Sequence, residues 1–342
     1  MQIQKNISLA QFTTFKIGGR AKYFARVKNL EDLKEALDFA KQNQASFFIL
    51  GGGSNLLIPD TGFAGLIIKM EIKGLHLGIV FPSGRGAEIV AGAGENWDTV
   101  VACTTKQGLF GLENLSGIPG TIGASVVQNI GAFGAEAGDN ISWVEVFNAK
   151  TFALQKLCKK RCGFGYRNSV FKTRAGKDLI VIRVCYKLKI KGKPNLFYAG
   201  LQEKLKNRRC GKITSRAVRE AILEIRKEKY PDLKKIGTAG CFFQNPIISA
   251  TAFKKLKKLF PELPSYNLPD GKIKIPLAWL MEKLGWKGYR DGNVGIHQKH
   301  ALVIVNFGNG VATDIKKLAD KITRDIFSKT NIKIFPEVVS VG

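Results

Sequence analysis

Two glycine-rich segments carry the clearest chemistry in this chain. Gly51-Gly52-Gly53-Ser54-Asn55 directly follows the apolar run Phe47-Phe48-Ile49-Leu50. Without Cβ atoms its backbone amides can converge on an anion at close range. Phosphate is the natural guest, although three glycines alone fit an ordinary tight turn equally well. A second loop breaks the tie: Ile118-Pro119-Gly120-Thr121-Ile122-Gly123-Ala124, continued by Gln128-Asn129-Ile130-Gly131-Ala132-Phe133-Gly134. Two such loops could clamp one pyrophosphate. Neither reads G-x-G-x-x-G nor G-K-[ST], so the pattern calls for a dinucleotide fold other than the Rossmann or P-loop type.

Metal chemistry has no comparable pattern. The six cysteines, Cys103, Cys158, Cys162, Cys185, Cys210 and Cys241, form no C-x-x-C pair, and His76, His297 and His300 do not join them at zinc spacing. Reduced thiols and no metal site are expected. His297 and His300, just before the apolar run Ala301 to Asn306, are read as satisfying local hydrogen bonds.

The 54 Lys+Arg against 27 Asp+Glu leave a formal charge of +27, a balance that attracts nucleic acid, anionic membrane or a phosphate-bearing substrate. The basic residues are dispersed, in runs such as Lys156 to Arg161, Lys204 to Arg209 and Lys254 to Lys258, and read as solvated faces of a lysine-rich composition. No apolar stretch approaches the roughly 20 residues of a membrane span. The N-terminus, Met1-Gln2-Ile3-Gln4-Lys5, lacks a secretory pattern, so a cytoplasmic protein is expected.

A chain of 342 residues with 45% apolar content can bury more than one core. The first unit opens with a strand over Ala21 to Val27 and a helix on which Leu33, Ala36, Leu37 and Ala40 form one face. Phe47 to Leu50 and Gly65 to Ile68 supply further strands. From about residue 71 the pattern turns strand-rich, with Glu88 to Gly92, Trp143 to Phe147 and Leu179 to Leu188, and a helix over Trp97 to Gln107. A helix with Val218, Ala221, Ile222 and Ile225 on its apolar face, stopped at Pro231, introduces a third, helix-dominated unit. There Ser249 caps a helix carrying Phe253, Leu256 and Phe260, Pro276 opens another, Ile315, Leu318 and Ile322 line a third, and Ala301 to Asn306 forms a strand. No repeat of fixed period is present.

Taken in order, the motifs resemble one family: UDP-N-acetylenolpyruvoylglucosamine reductase, also called UDP-N-acetylmuramate dehydrogenase, of peptidoglycan synthesis. The resemblance runs almost end to end. It starts with Thr14-Phe15, the Gly-Gly-Gly-Ser-Asn loop, Gly92-Ala93-Gly94-Glu95-Asn96-Trp97 and Gly111-Leu112-Glu113-Asn114-Leu115. It continues through Gly165-Tyr166-Arg167-Asn168-Ser169-Val170-Phe171-Lys172, Gly240-Cys241-Phe242-Phe243-Gln244-Asn245-Pro246, Gly285-Trp286-Lys287-Gly288 and Pro336-Glu337-Val338. It implies an α+β protein: a two-subdomain FAD-binding region of the vanillyl-alcohol-oxidase type plus a C-terminal α+β substrate-binding domain. The borders it suggests are 1–70 and 71–225 for the FAD-binding subdomains, 226–335 for the substrate domain, and 336–342 for a segment returning to the active site. Leu196-Phe197-Tyr198-Ala199-Gly200-Leu201 looks like the extra tyrosine loop of one subgroup.

The resemblance further implies FAD as cofactor, NADPH as hydride donor and a UDP-sugar as substrate; a monomer with no nucleic-acid or membrane partner is expected. Reducing a vinyl ether beside a carboxylate needs a hydride at one alkene carbon and a proton at the other. Arg167 takes the place of the cation that grips the carboxylate. Cys241 stands where the family commonly has a proton-donating serine. An ordinary thiol titrates near about 8.5 and should donate more readily than a hydroxyl. The competing reading is a small core cysteine beside Phe242 and Phe243. Glu337 matches the glutamate that assists protonation. Departures are Phe335 for an acidic residue, Val339 for an arginine of some members, and Phe133 for a tyrosine of some relatives. Flavin contacts are implied for Gly51, Gly52, Gly53, Ser54, Asn55, Leu56, Ile118, Pro119, Gly120, Thr121, Gly123, Ala124, Asn129, Gly131 and Ala132, and substrate contacts for Tyr166, Tyr198, Lys229, Asn245, Tyr266 and Lys287. The competing classes are another FAD oxidoreductase of this fold and a basic nucleic-acid binder. Dispersed charge and two unexplained glycine loops disfavour the binder.

Overall fold

The computed structural model describes residues 1–80, 86–206 and 212–341. Cys210 and the end of the basic run at 207–209 lie outside the described residues. The chain divides into two compact units: Met1–Ile7, Ala21–Gly52 and Ala64–Arg226 form the first, and Ser8–Arg20, Gly53–Phe63 and Lys227–Gly342 the second. Chain order and spatial order therefore differ. Two short N-terminal segments belong with the C-terminal part, and the first glycine loop is divided between Gly52 and Gly53.

The first unit contains two sheets. One has four strands in the order Ile3–Ser8, Arg20–Val27, Phe63–Met70, Phe47–Leu50. Its last pair is parallel, with Phe47 opposite Leu66 and Leu50 opposite Lys69. Helix Leu30–Gln42 connects strands of this sheet and buries Leu33, Ala36, Leu37 and Ala40, the stripe its spacing predicts. Asn29 caps it by accepting from the Asp32 N–H at 2.8 Å, while Asp32 accepts from the Lys28 N–H at 2.9 Å. The second sheet is antiparallel, in the order Ala153–Cys158, Ile141–Asn148, Leu179–Lys189, Gly86–Gly92, Leu75–Val80. One apolar core serves both sheets: Val27, Leu33 and Ile68 belong to the same cluster as Ile89, Val144 and Val184.

The second unit is built around helix Ala312–Thr330, whose Ile315, Leu318, Ile322 and Ile326 are fully or almost fully buried. A three-stranded antiparallel sheet, Arg290–Asp291, Val294–Ile296 and Ile304–Asn306, contributes to the same core. Ser249 accepts from the Ala252 N–H at 3.2 Å and caps helix Ala250–Leu259, as its position predicts. The strand expected over Ala301 to Asn306 is shorter. The Val303 N–H donates to the His300 carbonyl at 3.1 Å, so the chain completes a turn before it can join the sheet. The expected strands also omit Ile3–Ser8, Leu75–Val80 and Ala153–Cys158. Ile3–Ser8 is polar along much of its length, and in the other two strands leucines such as Leu77 and Leu154 are exposed, so neither shows the apolar-in, polar-out alternation that announces a strand.

Candidate functional site

In the first unit, the two glycine loops meet. A Cβ on Gly52 would lie 2.6 Å from the Gly120 Cα, and one on Gly51 would lie 2.7 Å from the Thr121 hydroxyl. Contact distances this short leave no room for any side chain, so glycine is required here by packing. The Gly51 carbonyl accepts from the Lys69 ammonium. Burial holds that ammonium below the ordinary lysine value, with Glu71 opposing the shift. The second loop is pinned by backbone bonds: Trp97 N–H to Gly120 O at 3.1 Å, Ile122 N–H to Glu95 O at 2.9 Å and Gly123 N–H to Ala93 O at 2.9 Å. Helix Ile122–Gln128 follows, and Thr121 precedes it without capping it. The Thr121 hydroxyl oxygen is buried and makes no hydrogen bond with any described residue. A buried orphan hydroxyl beside a Cβ-free backbone cradle suits a phosphate-bearing cofactor.

The continuation of this loop is held by the side chain of Asn129. Asn129 adopts a left-handed conformation, φ +47°, and is almost fully buried. Its amide nitrogen donates to Glu136 Oε2 and to the Gly165 carbonyl, both at 2.8 Å, and its Oδ1 accepts from the Gly138 N–H at 2.9 Å. Its side chain ties the loop to the segment that carries Arg167. Gly131–Ala132 pairs with Ala135–Glu136 in a short antiparallel ladder.

Arg167 sits on a tight turn closed by reciprocal 3.0 Å backbone bonds between Gly165 and Asn168. Its own φ is +52°, a conformation that costs a branched or bulky residue of order 1 kcal/mol. The guanidinium Nη2 donates to the Gly131 carbonyl at 2.8 Å, and the Arg167 carbonyl accepts from the Lys172 ammonium at 3.0 Å. Both ends of the residue are thus fixed, and the Tyr166 ring lies 5.4 Å from the guanidinium carbon.

Tyr198 precedes helix Ala199–Lys206 and meets the Phe133 ring edge to face at 5.0 Å. The Asn114 amide donates to the carbonyls of Phe133 and Asn195, each at 2.8 Å, and so holds the tyrosine segment against the second loop's continuation.

In the second unit, Cys241 and Glu337 are brought together by backbone pairing. Cys241 bridges to Val303, Phe243 bridges to Pro336, and the Glu337 N–H donates to the Phe242 carbonyl at 2.7 Å. Asn55 completes the arrangement: its amide donates to the Glu337 carbonyl at 3.1 Å, and its own carbonyl accepts from the Val339 N–H at 3.0 Å. Val339–Ser340 then runs parallel to Leu56–Leu57. The expected flavin residues Asn55 and Leu56 therefore anchor the C-terminal segment. Gly53, at φ +64°, has the Phe12 carbonyl 1.9 Å from where a Cβ would be. Ser54 stands between Gly53 and Asn55. Cys241 is half-buried at the margin of the core rather than within it. The buried thiols differ: burial pushes Cys162 up to about 11 and Cys185 up to about 12.

The remaining expected substrate residues are dispersed over the second unit. Asn245 Oδ1 accepts from the Leu277 N–H at 2.9 Å, which fixes the amide's orientation. Lys287 pairs with Glu282 at 2.7 Å, Lys229 ends helix Ser215–Lys229, and Tyr266 is exposed on a short strand opposite Lys274. His300 Nδ1 accepts from the Leu302 N–H at 3.2 Å, as a local role predicts. His297 differs: its Nε2 is buried without a partner among the described residues, and burial lowers its pKa.

Two residues that spacing did not single out emerge from this geometry. Lys69 is visible in sequence only as a polar residue on an otherwise apolar strand, a weak sign of a buried partner. Tyr230, whose hydroxyl is 3.9 Å from the Cys241 sulfur, had no sequence signal beyond its place between Lys229 and Pro231.

A family model described as FAD binding domain matches residues 21–151, the stretch that holds both glycine loops. With the Thr121 hydroxyl and the crowded glycines, this defines the chain as a flavin-dependent oxidoreductase. A second model, UDP-N-acetylenolpyruvoylglucosamine reductase, C-terminal domain, matches residues 231–341. The chain is 37% identical to the UDP-N-acetylenolpyruvoylglucosamine reductase of Pseudomonas aeruginosa, over 98% of both chains. It is 37% identical to that of Flavobacterium johnsoniae, over 99% of both. The crystal structure of the Thermus caldophilus reductase matches with a TM-score of 0.69 at 26% identity, covering 100% of each chain. The chain belongs to the UDP-N-acetylenolpyruvoylglucosamine reductase family.

Proposed function

We propose that this chain reduces the enolpyruvyl double bond of UDP-N-acetylenolpyruvoylglucosamine, giving UDP-N-acetylmuramate for peptidoglycan synthesis. The observation that carries this reading is the near full-length similarity to the curated reductases, 37% identical over 98% of the chain. FAD, when bound, would supply the hydride chemistry, with NADPH as the reductant.

The chain's own residues supply the rest. The backbone of Gly51, Gly52 and Gly120 with the Thr121 hydroxyl would hold the cofactor's phosphates. Arg167, fixed at Gly131 O, would hold the substrate carboxylate and stabilise the negative charge that grows on it. Cys241 would give its proton to the second alkene carbon, the S–H electron pair remaining on sulfur. Glu337, whose backbone is tied to Phe242 next to Cys241, would assist that protonation. Lys229 and Lys287 suit the diphosphate by charge, and Tyr166, Tyr198, Asn245 and Tyr266 supply rings and polar groups for the UDP-sugar. The Lys287–Glu282 pair would have to open or share its ammonium.

A cytoplasmic monomer is part of this reading. Among the described residues no helix is long and apolar enough to cross a membrane. Light scattering on the purified protein tests the monomer.

Anaerobic stopped-flow absorbance tests the activity. NADPH should bleach the flavin band, and UDP-N-acetylenolpyruvoylglucosamine should restore it. Bleaching without recovery on this substrate would remove the substrate assignment and leave the flavoprotein.

A further inference from the structure

The thiol at position 241 has a neighbour that the reaction outlined above does not use. The Tyr230 hydroxyl lies 3.9 Å from the Cys241 sulfur, within hydrogen-bond reach of a large, polarisable atom. Both partners are held independently. Cys241 is fixed by its bridge to Val303, and the Tyr230 ring packs on the His300 ring, 5.1 Å between centroids at an angle of 42°. His300 is itself fixed by the 3.2 Å bond from the Leu302 N–H and by the turn that leads to Val303. The turn from His300 to Val303 thus carries both the thiol's backbone partner and the tyrosine's ring partner. A contact built this way is constrained from two sides.

We propose that Tyr230 is a positioning residue for the Cys241 thiol. It holds the S–H in one orientation and donates its O–H to the sulfur once the proton has left. This rests on the assignment of Cys241 as proton donor. An ordinary phenol titrates near about 10 and an ordinary thiol near about 8.5, so the proton stays on oxygen while the sulfur is charged. Tyr230 therefore stabilises the thiolate by a hydrogen bond and is not itself the proton source, and the sulfur recovers its proton from water. A serine hydroxyl holds its proton far more tightly than a thiol, so a thiolate-stabilising neighbour has a use with cysteine at this position that it lacks with serine.

The experiment is alkylation of Cys241 by iodoacetamide as a function of pH, followed by peptide mass spectrometry on the purified flavoprotein, in the wild type and in Tyr230→Phe. Phenylalanine keeps the ring on His300 and removes one oxygen from a half-buried position. Flavin content and circular dichroism report that the variant is folded. Losing a hydrogen bond to the charged form should slow alkylation at pH 7 by roughly tenfold and move the half-maximal pH upward. Superimposable pH profiles overturn the proposal. The second readout is a cycle with Cys241→Ser in substrate-driven flavin reoxidation. Tyr230→Phe should slow this step several-fold with cysteine present and little with serine. An equal effect in both backgrounds indicates a merely structural tyrosine and also overturns it. If the UDP-sugar fails to reoxidise wild-type flavin, the substrate reading is what has failed, and the alkylation profiles still decide the role of Tyr230.

Discussion

The glycine cradle of the first unit and the Cys241–Glu337 pair of the second are positioned by opposite means. At the cradle, position follows from the absence of side chains: Gly51 and Gly52 lie so close to Thr121 and Gly120 that a single methyl group collides. At the pair, position follows from backbone register, with Glu337 bonded to Phe242 and Asn55, and Val339–Ser340 laid along Leu56–Leu57. The first arrangement tolerates no substitution of its backbone-forming residues. The second should accept changes of side chain that alter chemistry while the chain stays in place.

The largest expected effect tests the cradle. Gly52→Ala should abolish flavin binding, seen as a colourless protein of unchanged far-UV circular dichroism, because a Cβ 2.6 Å from the Gly120 Cα forces the loops apart. A yellow, active Gly52→Ala protein would contradict the packing argument. Arg167→Ala and Glu337→Gln should do the reverse. Each should retain flavin and NADPH-driven bleaching but lower turnover by about a hundredfold or more, the usual cost of removing a group that stabilises developing charge. Flavin loss on either change would show that these residues support the cofactor instead.

Cys241→Ala should leave bleaching by NADPH intact and slow reoxidation by substrate by about a hundredfold, with Cys241→Ser retaining part of the rate. An unaltered oxidative step means that the proton comes from elsewhere. The same position should be alkylated at pH 8 while Cys162 and Cys185, pushed up to about 11 and about 12, stay unmodified.

The smallest effect concerns the frame of the second unit. Asp60 accepts from the Ala312 N–H at 2.7 Å, the Thr313 N–H at 3.0 Å and the Thr313 hydroxyl at 2.7 Å, capping the unit's long helix from a distant part of the chain. Burial pulls its pKa up, but the Thr313 and Ala312 hydrogen bonds and Lys316 outweigh this and hold it below the ordinary carboxylate value. A carboxyl depressed on folding stabilises fully above its unfolded pKa, about 3.9, and the contribution fades as pH falls through the lower folded value. Asp60→Ala should therefore cost about 1 kcal/mol in denaturant unfolding at pH 7, with the gap narrowing on acidification. A gap that widens as pH falls would refute the linkage.

Much was legible in the chain itself. The helix Leu30–Gln42 and its buried stripe, the Ser249 cap and both glycine loops followed from local pattern, because helix periodicity, capping oxygens and Cβ-free loops are local properties. The ordered motifs were enough to indicate the family, and the matched relatives agree along nearly the whole chain. Less visible were the solvent-facing strands and the turn that shortens Ala301 to Asn306, where the local pattern is ambiguous.

The chain alone thus determined which residue types are available: glycines that let backbone approach closely, an arginine suited to a carboxylate, and a thiol where the resemblance implies a hydroxyl. Only the tertiary structure decided their partners. It assigned the Asn129 amide to Gly165 and Glu136, divided the first glycine loop at Gly52, brought Asp60 to a helix 252 residues onward, and set Tyr230 beside Cys241. Hydrogen bonds over such separations depend on how strands and turns return through space, and residue spacing along the chain carries no record of that path.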